Sequence, residues 1–63
     1  MQISITKPTE NSISVFENGK EIATFCDDDG FLSASNFSNE LTEDQKQSIT
    51  DLCLNNDNGN FII

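Results

Sequence analysis

The chain has 63 residues, 35% of them hydrophobic, and sets 11 carboxylates against three lysines, no arginine and no histidine, for a net charge of −8. This length supports one compact domain over residues 1–63, with a thin core. The charge excludes direct binding to nucleic acid or to anionic membranes, which need basic residues to displace counterions, and no apolar run approaches the roughly 20 residues of a membrane span.

The first residues predict a half-buried strand. Apolar and polar residues alternate over residues 1–6, the period-two pattern of a strand with one face against a core. Pro8 has no N–H for a sheet ladder, so residues 7–11 are expected to form a loop. A five-residue connection would set Ile5 opposite Ile13 on the next strand.

A β-hairpin is predicted around Asn18-Gly19, which lies between two alternating apolar runs. Asn-Gly is the pair that most readily adopts the positive φ angles of a type I′ turn. Val15 would then lie opposite Ile22, on one apolar face. Together with the first strand, this hairpin predicts an antiparallel meander of three strands.

The acidic run Asp27-Asp28-Asp29, followed by Gly30, predicts a turn into a short fourth strand over residues 31–33. With the tip at the second and third aspartates, Phe31 would lie opposite Cys26. Both side chains would then lie on the buried face.

The same register places apolar side chains on the second face of the sheet. Four residues are expected there: Phe16, Ala23, Phe25 and Leu32. An exposed aromatic patch rimmed by carboxylates is typical of a protein–protein interface, and Phe61 would extend it. The alternative is that the C-terminal segment or residues 34–40 fold over this face and cover it.

A helix is predicted from residue 43 to residue 54. Thr42 and Gln45 match a capping box, and Glu43 and Asp44 fall in the first turn, where the helix dipole favours negative charge. The helix has a narrow apolar stripe made of Ile49, Leu52 and Cys53, extended backward by Leu41 and Phe37.

The last three residues, Phe61-Ile62-Ile63, are expected to pair on a sheet edge or to enter an interface. The predicted fold class is therefore α+β. It consists of a three- to four-stranded antiparallel sheet (a β-meander) with one helix from the C-terminal half packed on one face, and with a short C-terminal strand as an option.

Catalytic and metal-binding motifs are not evident in the chain. Setting Gly30 at position 6 of an EF-hand loop leaves Phe25 at position 1 and Asn36 at position 12, and neither fits. Without a histidine to activate a thiolate, Cys26 and Cys53 are expected to be buried, free thiols. The N-terminus has no export signal, which predicts a cytoplasmic, reducing location. We expect no enzymatic activity, no metal and no cofactor.

The acidic residues are the main candidate site. Glu40, Asp44 and Asp51 would share one helix face if the helix extended back to residue 40. The predicted partner-binding surface, called here the acidic surface, consists of Asp27, Asp28, Asp29, Glu40, Glu43, Asp44 and Asp51. Its carboxylates are spaced on a scale comparable to that of DNA phosphates. The alternative is a solvated face that serves only solubility.

In size, acidity and lack of catalytic motifs, the chain is similar to small phage proteins that block host nucleases, DNA-repair enzymes or CRISPR complexes, some by mimicking nucleic acid. This resemblance is one of composition. It implies a non-enzymatic inhibitor or modulator whose partner is a protein with a basic, nucleic-acid-binding surface. The competing hypothesis is a homo-oligomeric structural or accessory subunit, such as a homodimer, whose interface contains Phe16, Phe25, Leu32 and Phe61.

Overall fold

The computed structural model describes residues 1–63 and contains one antiparallel sheet and one helix. The elements in chain order are β1 (Gln2–Thr9), β2 (Ser12–Glu17), β3 (Lys20–Asp28), β4 (Phe31–Phe37), α1 (Glu43–Leu54) and β5 (Gly59–Ile62). The strands lie in the order β4-β3-β2-β1-β5, so the first four form a meander and β5 returns to pair with β1. The predicted α+β class and the C-terminal strand are confirmed, and the sheet has five strands.

The core lies between α1 and one face of the sheet. It contains ten buried residues: Ile3, Ile5, Ile13, Val15, Ile22, Ala23, Phe25, Leu41, Ile49 and Cys53. No polar or charged residue is buried with them. Because alternate residues of a strand point to opposite faces, most of the apolar strand residues lie on the helix side and most of the polar ones on the other side. We call that other side the open face.

A β-bulge changes the register that the central turn predicts. Asn18 and Gly19 have φ angles of 52° and 77°, as the predicted turn requires. Beyond the turn, however, the pairing shifts by one residue, so Val15 lies opposite Ala23 and the extra residue is Ile22. The bulge lets two consecutive β3 residues, Ile22 and Ala23, both point into the core.

The bulge also reverses the faces of the following residues in β3. Phe25 is only 2% exposed and lies in the core, whereas Cys26 is exposed on the open face. The predictions that Ala23 and Phe25 lie on the second face, and that Cys26 is buried, are therefore wrong. The reason is that a shift of one residue exchanges the two faces of a strand.

β1 is longer than predicted. It continues through Pro8, beside a register irregularity, and only residues 10 and 11 separate it from β2. Ile5 consequently pairs with Val15 and not with Ile13. This error of two residues leaves the same side chains facing the helix, because the side-chain period of a strand is two.

β4 is also longer than the predicted three residues, and its turn falls one residue later. Asp29 and Gly30 have φ angles of 55° and 85° and form the tip, where glycine most readily adopts the left-handed conformation. Phe31 therefore pairs with Asp28 and not with Cys26. Its side chain is 79% exposed, so the prediction that it is buried is wrong.

The helix is confirmed at its predicted bounds. Thr42 Oγ1 accepts a hydrogen bond from the backbone N–H of Gln45 at 3.1 Å, and the Gln45 side chain accepts one from the backbone N–H of Thr42 at 2.9 Å. Ile49 and Cys53 are buried against the sheet, with Leu52 half-buried beside them. The helix therefore has a fixed start and one docked face.

Replacing Thr42 with alanine is expected to destabilise the protein by about 1 kcal/mol, because the first helical turn loses a hydrogen-bond acceptor. In a domain of this size that change lowers the melting temperature by roughly 4–8 °C, which thermal unfolding followed by circular dichroism would measure. Thr42→Ser keeps the hydroxyl and serves as the matched control. Equal melting temperatures for the alanine variant and the wild type would contradict the assigned role of the cap.

Candidate functional site

All 11 carboxylate side chains lie at the surface of the molecule. Nine are exposed, and only Glu17 and Asp27 are partly shielded by neighbouring residues. Since no charged residue is buried, none of these carboxylates is part of the core. Their positions on the fold are therefore free to serve contacts with other molecules.

Each of the three lysines contacts one carboxylate. The Nζ–O distances are 3.5–3.7 Å, in the pairs Lys7–Asp27, Lys20–Glu40 and Lys46–Glu43. Surface pairs of this kind contribute little to stability, because both groups stay hydrated. Eight of the 11 carboxylates have no cationic side chain beside them.

The solvent face of α1 carries two carboxylates of the acidic surface. Asp44 and Asp51 are both exposed and lie about 10 Å apart along the axis, at 1.5 Å per residue. Between them, Gln47 donates a hydrogen bond to Asp51 Oδ1 at 2.9 Å. Glu40 precedes the helix, so the extension of the helix back to residue 40 is wrong: Thr42 caps the helix two residues later.

The acidic turn between β3 and β4 lies beside the C-terminal end of α1. A small cavity of about 70 Å³ joins the two elements, and it is lined by Asp27, Gly30, Leu32, Cys53, Leu54 and Asn56. The last turn of the helix contains no basic residue. Because a helix C-terminus carries partial negative charge, carboxylates at this end are electrostatically unfavourable.

The structure therefore spreads the acidic surface along the helix rather than gathering it into one cluster. Asp27 lies beside the C-terminal end of α1, and Asp28 and Asp29 follow it in the turn, with Asp28 on the open face. Glu40, Glu43 and Asp44 lie at the N-terminal end of α1, with Asp51 between the two groups. A 12-residue helix is about 18 Å long, which is a large part of the 29 Å length of the molecule.

The open face does not contain the predicted aromatic patch. Phe25 is in the core, Leu32 lines the cavity on the helix side, and Phe61 pairs with Ile3 and packs against the core. Of the four predicted interface residues, only Phe16 belongs to the open face, where it is half-buried. The predicted placement of Phe25, Leu32 and Phe61 on a second apolar face is wrong.

Small hydroxyl side chains cover the open face instead. They include Ser4, Thr6, Ser12, Ser14, Thr24, Ser33 and Ser35. Two of them, Thr24 and Ser35, hydrogen-bond through their hydroxyl groups at 3.0 Å. Carboxylates occur on this face only near its ends, at Glu21 and Asp28. The two sides of the sheet thus differ strongly in charge.

The two cysteines are free and lie on opposite sides of the sheet. Cys26 is exposed on the open face, and Cys53 is buried beneath the helix. Burial raises the pKa of the Cys53 thiol from 9.0 to about 11, because the thiolate would lose its hydration. Their separation by the sheet opposes a disulfide between them.

Three shallow cavities occur, with volumes of about 70, 140 and 230 Å³. Each is smaller than the pockets of roughly 300–1,000 Å³ that usually hold small-molecule ligands.

No group of three or more acidic, cysteine or histidine residues is arranged to hold a metal ion. The one helix is too short and too polar to cross a membrane.

Comparisons of the chain with protein-family models, with curated proteins and with solved structures found no match.

Proposed function

We propose that this chain is a non-enzymatic binding protein that acts in the cytoplasm. In this proposal it inhibits or modulates a larger protein by occupying a basic, nucleic-acid-binding site with its acidic surface. The observation that carries the proposal is the excess of exposed carboxylates along α1, in a chain whose three lysines each already contact a carboxylate.

Electrostatics at the C-terminal end of α1 support a cationic partner. Asp57, whose backbone N–H donates to the Leu52 carbonyl, has no lysine beside it and lies close to the negative end of the helix dipole, and Asp27 lines the cavity at the same end. Mutual repulsion among these groups opposes folding. A partner that places lysine or arginine side chains here would relieve this repulsion and gain binding energy from it.

The extended shape of the acidic surface supports a partner that normally binds nucleic acid. Duplex DNA carries one charge per about 1.7 Å of its axis, so proteins that bind it present rows of basic residues. A carboxylate array about 18 Å long, on an exposed helix and an adjacent turn, can contact several such residues at once. Competition with nucleic acid for the same row would then inhibit the partner.

The test compares two variants with equal changes in charge. The first carries Asp29→Asn, Asp44→Asn and Asp51→Asn, which neutralise three unpaired members of the acidic surface. The control carries Glu10→Gln, Glu17→Gln and Glu21→Gln, which neutralise three carboxylates near the β1–β2 and β2–β3 turns. Each variant and the wild type are immobilised and exposed to soluble proteins from the native cell, and circular dichroism confirms that all three are folded.

The expected result is a retained protein that free duplex DNA or RNA displaces. Its binding should weaken at least about tenfold between roughly 50 and 200 mM salt, since opposite charges drive the association. The Asp variant should lose this protein, whereas the Glu control should retain it. Equal retention by both variants, or retention that nucleic acid does not affect, would overturn the proposal.

A further inference from the structure

We propose that the free edge of β4 is a docking site for an extended, lysine- or arginine-containing segment of the partner, which adds to the sheet as a sixth strand. This inference rests on the proposed function, because the acidic surface supplies the charge that selects a basic segment. In addition to the charges of the acidic surface, the backbone of an edge strand would then contribute hydrogen bonds to the partner.

The pairing of the strands determines which backbone groups of β4 are free. β4 is the outermost strand and pairs only with β3. The hydrogen bond from the Asp27 N–H to the Asn11 carbonyl, 2.9 Å long, shows that Asp27 bonds toward β2. Bonding directions alternate along antiparallel strands, so Cys26 and its partner Ser33 bond to each other.

The same alternation turns the backbone groups on either side of Ser33 outward. These residues are Leu32 and Ala34, and the N–H and C=O groups of both point away from the sheet. A register irregularity follows at Ser35, so the regular part of the free edge is Phe31–Ala34. An added strand can form hydrogen bonds with both outward-pointing residues.

Apart from the register irregularity at Ser35, β4 lacks the features that usually protect an edge strand. Lysine, proline or inward-pointing charges normally keep exposed edges from pairing with other chains. The seven residues Phe31–Phe37 contain no charged residue and no proline, although 22% of the whole chain is charged. The other free edge, β5, is only four residues long, and short edge strands are poor templates for pairing.

The side chains beside this edge match a basic segment. On the helix side, Leu32 lines the cavity of about 70 Å³ together with Leu54, whose side chain is 56% exposed. Asp27 lines the same cavity, and Asp28 and Asp29 follow it in the turn. The methylene groups of a lysine or arginine can cover the two leucines while its charged end reaches the Asp27 carboxylate on the same face.

A second copy of the chain fits this edge less well. Antiparallel pairing of two β4 strands about Ser33 would place Asp28 opposite Ser38 of the second copy, two residues from its Glu40. It would also join two molecules that each carry a net charge of −8. Repulsion between two such acidic molecules opposes this pairing, so a cationic segment is the favoured occupant.

The test uses a synthetic peptide of alternating lysine and valine, with a glutamate–valine peptide as the charge control. Ala34→Pro removes an outward N–H without breaking a bond to β3. Ile62→Pro makes the matching change on the β5 edge, where Phe61 pairs with Ile3 and Ile63 hydrogen-bonds to Met1, so that Ile62 points outward. Binding is followed by NMR titration and by amide hydrogen exchange, and thermal unfolding checks each fold.

The lysine peptide should slow exchange of the Leu32 and Ala34 amides in the wild type, and the glutamate peptide should not. Ala34→Pro should weaken binding about tenfold, which corresponds to about 1.4 kcal/mol, and Ile62→Pro should leave it unchanged. If Ala34→Pro does not fold, Ala34→Lys replaces it and should weaken binding by charge repulsion.

Three results would overturn the inference. One is peptide binding at the helix carboxylates alone, with no effect of Ala34→Pro; this leaves the proposed function standing. Another is equal binding of the glutamate peptide. The third is a dimer in sedimentation that Ala34→Pro dissociates, which would assign the edge to a second copy. If instead the Asp29, Asp44 and Asp51 substitutions have no effect on capture from cells while the edge binds the peptide, only the proposed function fails.

Discussion

Replacing Phe25 with alanine is expected to remove about 3–5 kcal/mol of stability, the usual cost of truncating a buried phenylalanine. The side chain is 2% exposed, and its ring packs edge-on against Phe37 with the ring centroids 5.3 Å apart. A domain of this length has a free energy of unfolding of roughly 3–9 kcal/mol. Between about a third and all of the stability should therefore be lost, which urea unfolding followed by circular dichroism would measure.

Phe31→Ala is the matched control, because it deletes the same atoms from a side chain that is 79% exposed. It should change the free energy of unfolding by less than about 0.5 kcal/mol. The comparison tests the β3 bulge directly, since the unbulged register would place Phe25 outside the core. Equal effects of the two substitutions would contradict the bulged register.

Stability is expected to fall as the pH rises from 9 to 11, by about 2 kcal/mol of a full effect of about 2.7 kcal/mol, at 1.36 kcal/mol for each unit of pKa difference. Burial raises the pKa of the Cys53 thiol to about 11, against 9.0 for an unperturbed thiol. In this range the unfolded chain loses the proton of Cys53 while the folded chain keeps it. Unfolding then releases a proton, so rising pH favours the unfolded state.

Urea unfolding at several pH values between 8 and 11 would measure this dependence. The chain contains no tyrosine, so no phenol titrates in the same range. In Cys53→Ala the free energy of unfolding should fall clearly less steeply with pH. In Cys26→Ala it should fall as steeply as in the wild type, because the Cys26 thiol is exposed. A slope that Cys53→Ala leaves unchanged would contradict the assignment to the buried thiol.

Local signals predicted the helix and the central turn well. The capping box at Thr42 fixes the start of α1 through hydrogen bonds within four residues, and Asn18-Gly19 forms its turn where the sequence places it. The faces of β1 were also predicted, although its pairing was wrong by two residues. These features depend on neighbours in the sequence, so the sequence pattern contains them.

The β3 bulge could not be read from the sequence pattern. Ile22, Ala23, Phe25 and Cys26 are all apolar, so the alternation around Thr24 fits either phase of the strand. Only the fit of Phe25 into the space beneath the helix selects one phase, and that choice depends on tertiary packing. The sequence pattern therefore assigned the residues of β3 and β4 to the wrong faces of the sheet, and this one ambiguity is the cause.

The acidic surface was predictable only in part, for the same reason. The helical period places Asp44 and Asp51 on one solvent face, as expected. The position of the Asp27–Asp29 turn beside the helix C-terminus and the contact of Lys7 with Asp27 join distant parts of the chain. Neither of these two contacts can be predicted from residues that are neighbours in the sequence.

The unequal charge of the two sides of the sheet gives the molecule a permanent dipole moment. In the field of a cationic protein it would rotate helix-first before contact, so the approach itself is oriented. Cys26 is the only exposed thiol and lies on the nearly neutral side. A label or tether attached there would leave the carboxylates facing solution, and a sensor built in this way would present every molecule in the same pose.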